Sequence, residues 1–517
     1  MNPIDAIIAF FNPRSAYERS IYRQQLEWQE QIKANSYDGA GRDRLNGGWQ
    51  VWNEAAEYTD RNSRDLIRAR ARDLERNSDM MGSVISAFKR NIIGYGYKLQ
   101  ASTGNPELDD KIEREWDIWC KKQHCDITGQ QSLNQMLRMA VERKKVDGGI
   151  LFLKTYTGTG AIPFQLQTLE VDELAIYQTT PKNKGNTVIG GIELDKHNKP
   201  VGYWIERYDL DGWSVREPEF IEARRIIYMW QKKRPSQVRE ISDMSQTLTR
   251  IRDSNELMTA VSVKERIAAC LSVFVKKSFP SQTGQLGRGI QVQGPDGTKI
   301  DYNGKMLAPG MITEMNPGDD IQVVDPKGSY GEAEGMLKIQ QRLISSGQGL
   351  SYETISRDMS GVNYSSARQG VIEDDMTFAE DIELIKEVMD EIYSEFVISG
   401  YLAGVFDLPG FFTDRDLKHK YLTHTWVNSP KPWIDPVKEA NANKTALETG
   451  IKTFAELSAE NGRDWKEKID EIAEVAAYCK EKGVKLGGEL YANADSSTEE
   501  SGTQHTVAPS EGTGDTE

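Results

Sequence analysis

Apolar side chains return at steps of three, four or seven through Val371, Phe378, Ile382, Ile385, Met389, Ile392 and Phe396. That spacing is one stripe of a long amphipathic helix over residues 371–398. Upstream, Met336, Leu337, Ile339, Leu343 and Ile344 predict another helix over 331–349. Between the two lies a polar stretch, residues 350–370 (LSYETISRDMSGVNYSSARQG), punctuated by Gly349, Gly361 and Gly370 and read as a hinged loop. The other faces of the 371–398 helix are acidic: from Glu373 to Glu395 ten carboxylates stand against one cation, Lys386. The pattern predicts a moving loop on a charged wall, and no catalytic constellation.

Residues 1–60 are polar with scattered rings, Tyr17, Tyr22, Trp28, Tyr37, Trp49 and Trp52. They predict a short helix near 15–34 and then an arm that needs a neighbour to bury its aromatics. Helices follow over 63–76, 80–92, 107–122 and 132–145, with a turn at Gly94-Tyr95-Gly96. In the first of them, Arg64, Arg68, Arg70, Arg72 and Arg76 form either a nucleic-acid patch or a solvated face paired with Asp65, Asp73 and Glu75, the latter preferred. From 148 to 231 the pattern changes to short segments rich in β-branched and aromatic residues, such as GILFLKTY, FQLQTL and RIIYMW. Asp209-x-Asp211-Gly212 there echoes a calcium loop but lacks its later ligands, so a hairpin turn is read.

Residues 242–275 are free of Gly and Pro. Ser242 suits the cap and Asp243 the first turn of a helix that would reach roughly 50 Å. The Gly- and Pro-rich segment 276–330 predicts a mobile loop followed by two strands about Asn316-Pro317-Gly318. After residue 399 the chain is helical again. Asp435-Pro436 predicts a helix start, Thr453-x-x-Glu456 and Asp464-x-x-Glu467 predict capping boxes, and Gly450, Gly462 and Gly483 predict stops. Beyond Tyr491 there are six acids and no Lys or Arg among many Ser, Thr and Gly, too little to build a core. The fold class is therefore α+β.

Composition narrows the function. With 517 residues, 38% of them hydrophobic, and a mean hydropathy of −0.60, an elongated or assembled protein fits better than one compact enzyme core. The net charge of −15 argues against wrapping nucleic acid but not against a surface that nucleic acid slides past. Four dispersed cysteines fit a reducing compartment. Cys120-x-x-x-His124-Cys125 lacks a fourth metal ligand at the usual spacing, and no apolar run approaches the length of a membrane span. No Walker A, G-x-S-x-G or H-E-x-x-H occurs, and five histidines leave little for His-based catalysis. No catalytic residue, cofactor or metal is predicted.

The chain resembles a portal protein of tailed bacteriophages, of the lambda-type branch, from about residue 12 to 488. The resemblance rests on the order of several motifs: Tyr37-Asp38-Gly39-Ala40; the run from Arg68 to Asn77; Asn91 to Gly96; Cys125 to Gly129; Gly190 to Glu193; Arg234-Pro235 to Arg239. Most specific are Ser351 to Asp358 with Asn363 to Arg368, and Trp433 to Ala440. Tyr228 stands where the family often has His, and Glu240 where Gly commonly follows the Arg.

The resemblance implies a portal-type fold. Residues 1–60 would be an N-terminal arm, 61–241 a wing, 242–275 a stem helix, 276–330 a clip and 331–349 a second stem helix. A tunnel loop (350–370), a long acidic wing helix (371–398), a helical crown (399–490) and a disordered acidic tail (491–517) would follow. It implies a homo-oligomeric ring, usually of twelve subunits, at one vertex of the capsid, assembled in the host cytoplasm and carried in the virion. Its partners would be double-stranded DNA passing through the channel without sequence preference, the terminase large subunit, the major capsid protein and the head-completion or connector proteins, with no membrane. Candidate channel residues are Arg357, Asp358, Asn363, Tyr364 and Arg368, and candidate motor-docking residues of the clip are Arg288, Lys299 and Lys305. Arg357 and Arg368 could meet DNA or pair with Asp358 or Glu353. A shell or scaffold protein, and a head-associated hydrolase, are the competing readings.

Overall fold

The computed structural model describes residues 21–22, 53–208, 217–270, 274–277, 319–322, 330–428, 430 and 435–484. The chain parts into two units, Met1–Thr59 and Asp60–Glu517, and the elements below belong to the second. Most of the N-terminal arm, the Asp209–Gly212 turn, most of the 276–330 segment with Arg288, Lys299 and Lys305, and the acidic tail lie outside the described residues.

Helices α1 (Arg64–Asn77) and α2 (Asp79–Ile92) share a junction in which Ser78 ends one and caps the other, its hydroxyl accepting from the Met81 amide. Met81, Val84, Ile85, Phe88 and Ile92 keep the i, i+3, i+4, i+7 spacing, so α2 buries a single stripe. Strand β1 (Lys98–Ala101) and α3 (Pro106–Trp119) follow, with Pro106 in the first turn of α3. Helix α4 (Leu133–Asp147) opens with a Ser132/Gln135 capping box and closes at Gly148, whose φ is 96°. A Cβ on Gly148 would sit 2.6 Å from the Ile241 carbonyl carbon, so the position needs glycine for its backbone angle and for the close approach.

Strand β2 (Gly149–Thr155) is buried at all seven positions, and its alternation says why. Ile150 and Phe152 join the helical core, while Leu151 and Leu153 join a second core made by the strands. Strand β2 is the middle of an antiparallel sheet ordered β3 (Gln165–Leu169), β2, β8 (Ile226–Trp230). The second core lies with a four-stranded antiparallel sheet ordered β4 (Thr187–Ile189), β5 (Ile192–Leu194), β6 (Pro200–Ile205), β7 (Glu219–Glu222).

Helix α5 runs Leu248–Cys270, later than the predicted start at 242. Ser242 and Asp243 look like a cap and first turn but are used elsewhere. The Ser242 hydroxyl donates to the Lys145 carbonyl. The Asp243 carboxylate takes Lys144 at 2.8 Å, Lys233 at 3.0 Å and Lys145 at 3.5 Å. The shorter helix, 23 residues, spans about 35 Å. Strands β9 (Phe274–Lys277) and β10 (Asp319–Gln322) pair antiparallel, and α6 (Tyr330–Gly347) leads back.

A short helix, α7 (Tyr352–Ser356), precedes α8 (Tyr364–Leu402), 39 residues long or about 58 Å. The predicted stripe lies on α8, with Phe378, Ile385, Met389, Ile392 and Phe396 buried. The helix starts earlier than residue 371, because Asn363 caps it by accepting from the Ser366 amide. Phe396 and Tyr393 meet the Trp116 ring edge-on, at 5.1 and 5.9 Å between centroids, and Trp119 stacks on Phe164. Helix α9 (Arg415–Tyr421) leads to β11 (His424–Val427), which pairs antiparallel with β1.

The last helices follow their punctuation. Asp435 caps α10 (Pro436–Glu448), Thr453 and Glu456 cap α11 (Phe454–Glu460) reciprocally, and Gly483 ends α12 (Trp465–Lys482) in the left-handed region. Asp464 does cap α12, but Glu467 does not close a capping box: its carboxylate pairs with Lys98 of β1. Among the described residues no helix is long and apolar enough to cross a membrane.

Candidate functional site

The arginines of α1 divide between surface and interior: Arg70 and Arg76 are exposed, and Arg76 pairs with Asp73 at 3.9 Å as the solvated-face reading expects. Arg64 and Arg68 are buried. Arg68 reaches Asp172 at 2.5 Å and Glu240 at 2.8 Å; Arg72 reaches Asp147 at 2.7 Å and Asp172 at 2.5 Å. Arg239 also holds Glu240, at 2.9 Å. Burial alone would raise the Glu240 carboxyl, but Arg239 and Arg68 outweigh it and hold it below the usual range. A second network ties α4 to α8: Asp381 takes Lys144 at 2.7 Å and Lys145 at 2.9 Å. Lys154 of β2 reaches Glu391 at 2.7 Å and Glu395 at 3.1 Å. These pairs fix the wall that carries the 350–370 turn.

That turn is tighter than its composition predicts. Asp374 of α8, buried, accepts from the Ser351 amide (2.6 Å), the Ser351 hydroxyl (2.7 Å) and the Thr354 hydroxyl (2.5 Å). Ile355 enters the core, and its carbonyl accepts from Ser83 of α2. Residues 352–356 are therefore helical and pinned from two sides. The loop proper is 357–363.

Arg357 ends α7 in the left-handed region, with φ at 57° and its amide donating to the Glu353 carbonyl. For a residue with a Cβ that backbone costs on the order of 1 kcal/mol. Asp358 does not pair with it. Its carboxylate accepts from the Ser360 amide (2.9 Å) and the Tyr352 hydroxyl (3.3 Å), and these bonds, Ser360 first, hold it below the usual range. Asn363 is the α8 cap, Tyr364 begins that helix, and Arg368 lies in its second turn. Arg357 and Arg368 are exposed, and among the described residues neither makes an ion pair. So the structure gathers Arg357, Asp358 and Asn363 in one short loop, with Tyr364 and Arg368 on the helix it opens.

Spacing gives no hint of two neighbours. Arg342 of α6 lies over the Tyr352 ring at 5.5 Å, and Arg90 of α2 is near enough to Arg357 for the Arg357 charge to act on it. The Cys120/Cys125 motif, for its part, is packing: burial pushes the Cys125 thiol up to about 12 and the Cys120 thiol well up. Among the described residues no three His, Cys, Asp or Glu side chains are grouped to hold a metal ion.

The sequence profile of the family described as phage portal protein, lambda family, matches residues 42–381. The chain belongs to that family. The matched span of this portal-family chain takes in the Arg68–Glu240 network, the lysines of α4 with Asp381, and the 350–370 turn, and ends before Glu391 and Glu395. A probable portal protein of Halomonas phage phiHAP-1 is 24% identical over 483 residues, covering 90% of this chain and 91% of that one. Portal protein B of Escherichia phage lambda is 21% identical over 471 residues, covering 83% and 87%. Among solved structures, the neck of an empty gene transfer agent (GTA) particle, computed with C6 symmetry, is 12% identical with a TM-score of 0.45, covering 76% of this chain and 93% of that one.

Proposed function

We propose that this portal-family chain assembles as a closed ring of about twelve copies at one capsid vertex and passes double-stranded DNA through its bore. Residues 350–370 face the bore. Residues 61–241 form the wing beside the major capsid protein, and 399–490 the crown inside the shell. Residues 242–275 and 331–349 are the stem, and 276–330 the clip, which docks the terminase large subunit and later the head-completion proteins. The ring assembles in the host cytoplasm and stays in the virion. Its role is mechanical, with no chemical step.

The observation that carries this reading is the pairing of opposites at the loop. Exposed Arg357 and Arg368, with no ion pair among the described residues, flank the start of a helix whose exposed side then shows Glu373, Glu380, Glu383 and Glu387. Each cation that meets a phosphate adds salt-sensitive affinity, so a conduit needs few of them among many carboxylates. A duplex is then guided without being held.

Negative-stain imaging of the purified full chain tests it. Isolated rings with a central hole support the reading. Closed shells would favour the scaffold alternative, and a stable monomer would end the conduit account.

A further inference from the structure

The fold settles most of its buried charge by pairing. Arg68, Arg72, Arg143 and Arg239 all reach carboxylates. The arginines about the 357 turn differ. Arg90, Arg342, Arg357 and Arg368 are exposed, come from four separate elements, and among the described residues none has a carboxylate partner.

Two of them are held together by design of the local backbone. Ser83 and Arg90 are two turns apart on one face of α2. The Ser83 hydroxyl donates to the Ile355 carbonyl at 2.5 Å and pins the end of α7 to that face. Arg357 follows two residues later, turned by its left-handed backbone. Arg90 is steadied by its Nε donating to the Ser86 carbonyl at 3.1 Å. Partial burial and then the nearby Arg357 charge hold the Arg90 guanidinium below its ordinary range, so the two cations feel each other. Meanwhile Asp358, one residue from Arg357 and the nearest candidate to neutralise it, is committed to Ser360 and Tyr352.

Like charges kept adjacent, with the available carboxylate turned away, form a preorganised anion seat. An entering anion relieves the repulsion, and guanidinium forks match phosphate oxygens two at a time. We propose that Arg90 and Arg357 together form the seat for one backbone phosphate of the DNA duplex. This rests on the conduit reading and adds a residue from the wing to the bore. A phosphate contact carries no sequence information, so the duplex can leave one seat and meet the next.

The test uses rings of the full chain carrying Arg90→Gln, Arg90→Lys, Arg357→Gln or, as a surface control, Arg70→Gln. A labelled blunt-ended duplex is titrated at several salt concentrations, and rings are checked by negative stain. Arg90→Gln and Arg357→Gln should each flatten the slope of log affinity against log salt by up to about one for every subunit that touches the duplex, with rings intact and Arg70→Gln like wild type. Arg90→Lys, which keeps the charge, should retain most of the slope. If Arg357→Gln flattens the slope and Arg90→Gln does not, the seat is refuted and the conduit reading stands. If neither does, this turn does not contact DNA and the bore assignment of 350–370 falls as well. If Arg90→Gln breaks the rings, Arg90 holds a carboxylate of a neighbouring copy and the proposal is overturned.

Discussion

The Tyr228 hydroxyl donates to the Glu240 carboxylate, which ties strand β8 to the segment before α5. Glu240 is fully buried and also accepts from Arg68 and Arg239. Tyr228 is half-buried, and burial with the adjacent carboxylate pushes its phenol well up, so it stays a donor. Glu240→Gln should cost about 3–5 kcal/mol, because it leaves buried Arg239 without a carboxylate, while Arg68 keeps Asp172. Tyr228→Phe should cost less, about 1.5–3 kcal/mol, the range for a bond to a charged group. Urea unfolding of the two variants should show that order. A harmless Glu240→Gln would mean the arginines find other partners.

Glu113 gives a pH dependence with a definite sign. Its carboxyl is pushed up to about 7, chiefly by burial, then by Asp464 and Glu467, against the Ala101 amide that it accepts from. The folded state thus binds the proton more tightly than the unfolded chain, whose carboxyl sits near 4.5. This group's stabilisation is fully present below about 4.5 and is lost as pH rises through about 7. Glu113→Gln should flatten that part of the stability curve and raise the melting temperature at pH 8. An unchanged pH profile would remove Glu113 from the account.

Arg357 couples backbone strain to charge, and two substitutions separate them. Arg357→Gly accepts the 57° φ without a Cβ and should stabilise by up to about 1 kcal/mol while weakening DNA packaging. Arg357→Glu should leave rings intact and impair packaging more severely. Normal packaging by both variants would show that the side chain is dispensable.

Gly148→Ala should destabilise by about 1–3 kcal/mol. The new Cβ meets the Ile241 backbone, and the residue keeps a φ of 96°. Chemical denaturation measures the cost. Because the clash lies where α4 turns into β2 beside the approach to α5, the loss should appear as easier unfolding of that junction in hydrogen exchange.

Local signals were legible and long-range ones were not. The caps at Asp435 and Thr453 and the stop at Gly483 need only neighbours in sequence, and each is found where its motif predicts. The stripe of α8 is legible from Phe378 on, where it is buried, but the first turns around Arg368 are exposed and carry no apolar rhythm. Ser242-Asp243 reads as a helix start because nothing local reveals the lysines that claim Asp243. The loop residues Arg357 and Asp358 stand out by composition, whereas Arg90 joins them only through tertiary packing.

Strand β2 lends alternate side chains to two separate cores, and Lys154 fastens it to α8. A load travelling along that helix would therefore reach both cores through one strand, in shear across its hydrogen-bonded edges. Neither core can slacken alone, so the region should yield in a single step under force.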